Sequence, residues 1–226
     1  MTGELLARLG YQPRRQMLGD EVYEGLKTLL MNQVIAPGGR LNIDALGREL
    51  GTSSTPIREA LVRLEADGLA SKYALRGYTA SALLTRKEFE DLFELRLLLE
   101  PKVAGQAAER IDENAAQRLA AELAAGPAPP KRPRYEAYRD FSAHDTRLHD
   151  LICELAGNDA IRRAVAHTHA HVHLFRLGYG RDLGIHAVEE HRAVVAAIRA
   201  GTPTAARTAM REHLRSSRER LRHTVQ

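Results

Sequence analysis

Four side chains on three helical stretches have the types and spacing of a metal centre. Asp145 and His149 lie four apart, roughly 6 Å along a helix axis, on the face shared by Phe141, Leu148, Ile152 and Ala156. Such a pair can ligate one ion together. His191 shares the face of Val188, Val195 and Ile198, and His213 shares that of Met210 and Leu214. An inward histidine taken alone is ordinarily a hydrogen-bonded core residue. One carboxylate and three imidazoles aimed into one interior would be costly to bury uncompensated, and a divalent cation compensates all four at once. The set suits zinc first, with nickel, manganese or iron as alternatives, and open coordination positions would accept a carboxylate-bearing ligand.

Arg96 falls in the apolar stripe of Phe89, Leu92, Phe93 and Val103. Two readings stand side by side: a guanidinium that pairs with an effector carboxylate in a cavity, or an internal ion pair with Glu100 four residues on. A denser cluster, His167, His169, His171 and His173, scatters over two faces of a helix. Either 167 with 171 or 169 with 173 can line a pocket, and none is assigned as a ligand.

A different chemistry gathers near Ser53-Ser54-Thr55 and Arg58. Short hydroxyls and an arginine at the start of a helix reach phosphates and base edges in a DNA major groove. Arg58 can contact guanine in two-pronged fashion or clamp a phosphate. Each residue alone is commonplace, since Ser-Ser-Thr before a helix is usually a cap. The elements that hold them carry the argument. Leu18, Val22, Leu26, Leu29 and Leu30 line one helical face, which ends at Pro37-Gly38-Gly39. Asn42 caps a short helix with Ala45, Leu46 and Leu50, and Gly51 stands where a left-handed residue is wanted. After this tight turn a third helix follows, with Pro56 in its first turn and Ile57, Ala60, Leu61 and Leu64 as its buried stripe, until Asp67-Gly68. Two helices joined by a short glycine turn form a helix-turn-helix. Leu69–Tyr73 and Tyr78–Ser81 pair as strands around the tip residues Ala74 to Gly77, so Arg76 and Gly77 would meet DNA from a wing.

From about Arg86 the strand signals stop, and alanine- and leucine-rich helical periodicity runs to the end. Breaks predict six helices near 86–110, 112–125, 135–156, 159–177, 186–200 and 203–222. The expected fold is therefore mainly α: an arm over 1–17, a winged helix-turn-helix over 18–84, and an antiparallel helical bundle over 85–226. The 226 residues are 44% hydrophobic, enough for two real cores. A net charge of +4 permits nucleic-acid binding without requiring it. The arginine-rich stretch Arg207–Arg222 is most simply a solvated helix face. No apolar run approaches roughly 18 residues and the start lacks a secretory pattern, so the expected location is the cytoplasm, with no membrane partner. Cys153 stands alone and is read as a core residue.

In its first half the chain resembles the GntR family of bacterial regulators. The resemblance rests on Pro37-Gly-Gly-Arg-Leu-Asn42, Leu46-Gly-Arg-Glu-Leu-Gly51, and Ser54-Thr-Pro-Ile-Arg-Glu-Ala-Leu-Val-Arg-Leu64 followed by Asp67-Gly68-Leu69. Ser54 departs from the family's usual arginine, which implies an altered contact to the operator. Asp145-Thr-Arg-Leu-His149, Glu190-His191-Arg-Ala-Val and Met210-Arg-Glu-His213 resemble the metal-binding hallmarks of the FCD ligand-binding domain in the FadR-type branch. Leu148 replaces a common aromatic and leaves the ligands intact. Six helices would resemble the VanR-type subgroup. The resemblance implies a homodimer on a two-fold operator, in most cases a repressor, controlled by a small effector such as an organic acid bound near the metal, with Arg96 as an effector contact.

A helical metalloenzyme using the same Asp and His residues is the rival. No H-E-x-x-H or paired E-x-x-H motif supports it, and it leaves the wing domain unexplained. A metal that is purely structural is a third reading.

Overall fold

The computed structural model describes residues 19–127, 134–178 and 183–225. The expected arm over 1–17 lies outside them. The chain divides into two compact units between Leu83 and Leu84.

The first unit opens with α1 (Gly19–Met31), then β1 (Arg40–Leu41), α2 (Ile43–Leu50), α3 (Ser54–Ala66), β2 (Ala70–Tyr73) and β3 (Gly77–Ala80). Helices α1 and α3 pack their apolar stripes together: Val22, Leu26 and Leu30 face Ile57, Leu61 and Leu64, all fully buried. Removing such side chains from water is the main favourable term in a unit this small. Polar groups lock the pair from outside. The Tyr23 hydroxyl donates to Asp67, Lys27 donates to the Tyr23 oxygen, and the Arg63 guanidinium lies 3.9 Å from the Tyr23 ring centre. Asn42 caps α2 by accepting from the Ala45 N–H at 3.0 Å, and Gly51 ends it with φ +64°. Both are as the sequence predicts.

The strands form one antiparallel sheet in the order β1-β3-β2, with Leu41 opposite Tyr78 and Tyr73 opposite Gly77. The expected hairpin is present, one residue shorter at its outer ends. The pairing of Arg40–Leu41 with β3 leaves no mark in the sequence, because two residues are too few to show alternation.

The second unit comprises α4 (Arg86–Glu109), α5 (Glu113–Ala124), α6 (Tyr135–Leu155), α7 (Asp159–Ala166), α8 (Ala170–Leu177), α9 (Leu183–Arg199), α10 (Pro203–Leu221) and a terminal 3₁₀ turn, Arg222–Thr224. Thr85 and Glu88 close a capping box on α4. Leu148, Ile152, Val195, Ile198, Met210 and Leu214 interdigitate with Val103 and Ala107 in the main core.

The six-helix expectation is corrected here, and helix number gives no support to the six-helix subgroup. The stretch 159–177, expected as one helix, is two. The Thr168 hydroxyl donates to the Val165 carbonyl at 2.6 Å and accepts from the Ala170 N–H at 3.2 Å, replacing the helical ladder locally. His169 then takes a left-handed conformation, φ +47°. No helix among the described residues is long and apolar enough to cross a membrane.

Candidate metal centre and nucleic-acid interface

In the first unit, Ser53, Ser54, Thr55 and Arg58 are all exposed at the start of α3, and Arg76 and Gly77 are exposed on the hairpin. Ser53 occupies the N-cap position, yet its hydroxyl makes no capping bond. The first N–H groups of α3 are thus left without a side-chain cap at a positive helix end, where an anion is favoured. Val62 is also exposed on the same helix. It lies off the stripe of Ile57, Ala60, Leu61 and Leu64.

In the second unit, α6, α9 and α10 bring His149, His191 and His213 together. Their ligand-capable atoms all lie within 4.8 Å of one another, and all three side chains are buried. Asp145 adjoins the group: its Oδ1 is 3.2 Å from His191 Nε2, out of line for a hydrogen bond, while its Oδ2 is 2.5 Å from His171 Nδ1. Three of the four expected ligands thus form one cluster, and the fourth stands at its edge holding a different partner.

Two carboxylates hold the histidines from behind. His149 Nδ1 lies 2.5 Å from Glu100 Oε2, and His213 Nδ1 lies 2.8 Å from Glu190 Oε2. Both readings of Arg96 find something here. Its Nε is 2.5 Å from Glu100 Oε1, so the internal ion pair exists, and Arg96 also lines a cavity of about 50 Å³ beside Asp145, His171, His213 and Arg220. Of the histidine run, His171 lines this cavity. His167 is exposed, and His169 and His173 pair ring to ring elsewhere.

Electrostatics suit a cation. Burial pushes the His149 pKa down to about 3, outweighing Glu100, and burial likewise lowers that of His213. Both are neutral near pH 7, the form that ligates metal. Burial opposes ionisation of Glu100 and of Asp145. For Glu100, Arg96 and then His149 outweigh it, and for Asp145, His171 and then His191 do, so both carboxyls sit well below the usual range. Among the described residues, His149 Nε2 and both nitrogens of His191 are buried without a hydrogen-bond partner. Orphaned buried polar atoms are rare and call for an explanation. Three imidazoles with a carboxylate at hand are a donor set that fits a divalent ion such as zinc. His149, His191, His213 and Asp145 would hold it, and when bound it would supply a Lewis-acidic anchor for an oxygen ligand.

Two family models match the chain: "Bacterial regulatory proteins, gntR family" over residues 18–77, and "FCD domain" over residues 91–216. A Bacillus subtilis protein, "Uncharacterized HTH-type transcriptional regulator YdhC", is 25% identical over 91% of this chain and 92% of its own length. The "Probable D-xylose utilization operon transcriptional repressor" of Paenarthrobacter nicotinovorans is 30% identical, covering 78% of this chain and 79% of its own. Among solved structures, E. coli McbR/YncC superposes with a TM-score of 0.61 at 18% identity, over 91% of this chain and 97% of that one. The Listeria monocytogenes protein Lar gives 0.60 at 16%, over 92% and 98%. These two likenesses concern the fold. The matched families and relatives are regulators of transcription, not enzymes, which removes the metalloenzyme reading. With its exposed helix-turn-helix and its helical second unit, the chain belongs to the gntR family of bacterial transcriptional regulators and carries an FCD domain.

Proposed function

We propose that the chain is a metal-dependent, effector-controlled repressor. Residues 18–84 bind operator DNA through Ser53, Ser54, Thr55 and Arg58, with Arg76 and Gly77 on the wing. Residues 85–226 hold a divalent metal, zinc first, on Asp145, His149, His191 and His213, and take a small carboxylate in the adjoining cavity with Arg96 as a contact. The working form is a homodimer in the cytoplasm that sets two copies of α3 on a two-fold operator. The observation that carries the reading is the convergence of three buried imidazoles, with unpartnered nitrogens, beside a cavity lined by two arginines. An effector controls DNA binding only if it binds the two arrangements of the protein unequally.

Two measurements test it. Elemental mass spectrometry of the purified chain should find about one equivalent of metal, absent from a His149→Ala/His213→Ala double variant; equal metal content in both would refute the ligand assignment. Selection from a random duplex library should return a two-fold symmetric site, and Arg58→Ala should weaken its binding roughly 5- to 150-fold if the arginine reads a base. Unchanged affinity would sink the role given to Arg58.

A further inference from the structure

Two of the three histidines are held in the same manner by carboxylates from two different helices. In one case, Arg96 of α4 donates Nε and Nη2 to Glu100 at 2.5 and 3.3 Å, and Glu100 faces His149 Nδ1 at 2.5 Å. In the other, Arg220 of α10 donates Nη1 and Nη2 to Glu190 at 2.5 and 2.8 Å, and Glu190 faces His213 Nδ1 at 2.8 Å. An ionised carboxylate offers only acceptors, so each Nδ1 carries the proton and donates it. The lone pair is thereby fixed on Nε2, and a carboxylate behind an imidazole also raises its strength as a ligand.

Both arginines at the outer ends of these chains line the same cavity, which His213 and Asp145 also line. Arg96 Nη1 stands outside its ion pair, and Arg220 Nε is buried without a hydrogen-bond partner. Both guanidiniums are therefore bound to the metal supports, and that of Arg220 has a donor left over. The charge of these groups sets an order of binding. Two arginines and three carboxylates, Glu100, Glu190 and Asp145, stand about the site, and a divalent ion adds two positive charges beside the same cavity. A monoanion is therefore held more strongly after the ion is bound than before it.

We propose that Glu100 and Glu190 are positioning residues for the metal, and that Arg96 and Arg220 tie them to the cavity so that metal and a small monocarboxylate each raise the other's affinity. This rests on the metal reading above. The mutual enhancement is required to be equal in both directions by linkage.

The test is zinc affinity of the full chain, measured by competition with a chromophoric chelator in chloride and again with acetate replacing chloride at equal ionic strength. Glu190 is the residue to change first, because its side chain and that of Arg220 are each 21% exposed and water can solvate what is left. Glu190→Ala should weaken zinc by roughly 10- to 100-fold. Glu190→Gln should recover part of that loss, since its amide oxygen still accepts the Nδ1–H, a rescue that a merely structural role would not give. Glu100→Gln should also weaken zinc. Acetate should tighten zinc in the unaltered chain and do so less in Arg96→Met and Arg220→Met. Glu190→Ala equal to the unaltered chain overturns the positioning role, and an acetate effect of zero overturns the coupling; in both cases the metal site itself stands. No zinc uptake by the unaltered chain, matching His213→Ala, overturns the metal reading and this inference with it.

Discussion

Saturating the metal-stripped protein with zinc should stabilise the unit beginning at Leu84 by an amount the structure allows one to bound. Three buried nitrogens, His149 Nε2 and the two of His191, lack a hydrogen-bond partner. Each such atom costs about 1–3 kcal/mol, so the metal-free unit carries a penalty of roughly 3–9 kcal/mol that ligation can relieve in part. Mass action sets the other bound: at 1,000 times the dissociation constant a ligand of the native state adds about 4 kcal/mol. The mass-action figure lies within that range and sets the expected shift. For a unit near 150 residues, about 4 kcal/mol raises Tm by roughly 8–16 °C. The assay is differential scanning calorimetry of chelator-treated protein with and without zinc, with each transition assigned by variants. His213→Ala should abolish the shift while its own metal-free transition is retained. Superimposed traces for the unaltered chain would refute the reasoning, because orphaned imidazoles that gain a cation must gain stability.

Leu61→Ala, at a fully buried position in α3, should cost the DNA-binding unit about 2–5 kcal/mol in urea denaturation; a loss well under 1 kcal/mol would mean that the stripe is not the core. Arg76→Ala should weaken operator binding and reduce the slope of log affinity against log salt by about one, as one lost phosphate contact requires, and an unchanged slope would detach Arg76 from the backbone. Burial lowers the pKa of His149 to about 3 and that of His173 to about 4. Both ionise near 6.5 when unfolded, so between those values the unfolded chain binds more protons, and the stability of the metal-free protein should fall as pH drops from about 6.5 toward 4. A Tm that rises over that interval would contradict the buried, neutral state of these rings.

The first unit was legible almost throughout, because its signals are local: Asn42 and Gly51 mark the ends of α2, and the spacing of Ile57, Leu61 and Leu64 gives the buried face of α3. The metal cluster was legible for the same reason, since each histidine interrupts an apolar stripe of known period. What escaped depends on contacts far apart in sequence or on chemistry that leaves little trace. Glu190 precedes His191, yet its partners are His213 and Arg220 on another helix, and a charged residue beside a stripe reads by default as solvated. Glu100 reads in the sequence as a partner of Arg96 four residues before it, and nothing local marks it as the support of His149, 49 residues away. The break between α7 and α8 has no glycine or proline to announce it. It rests on a threonine hydroxyl, and it is this break that separates His167 from His171 and His173.

The hairpin tip shows stability yielding to something else. Leu75 holds a left-handed backbone, φ +63°, with its side chain wholly exposed. A leucine there costs about 1–2 kcal/mol against a glycine and hides no surface within its own unit. Selection for a durable fold alone would have replaced it, so this position sits below the stability optimum of the sequence, and Leu75→Gly is the simplest route by which the wing can be made firmer than it is.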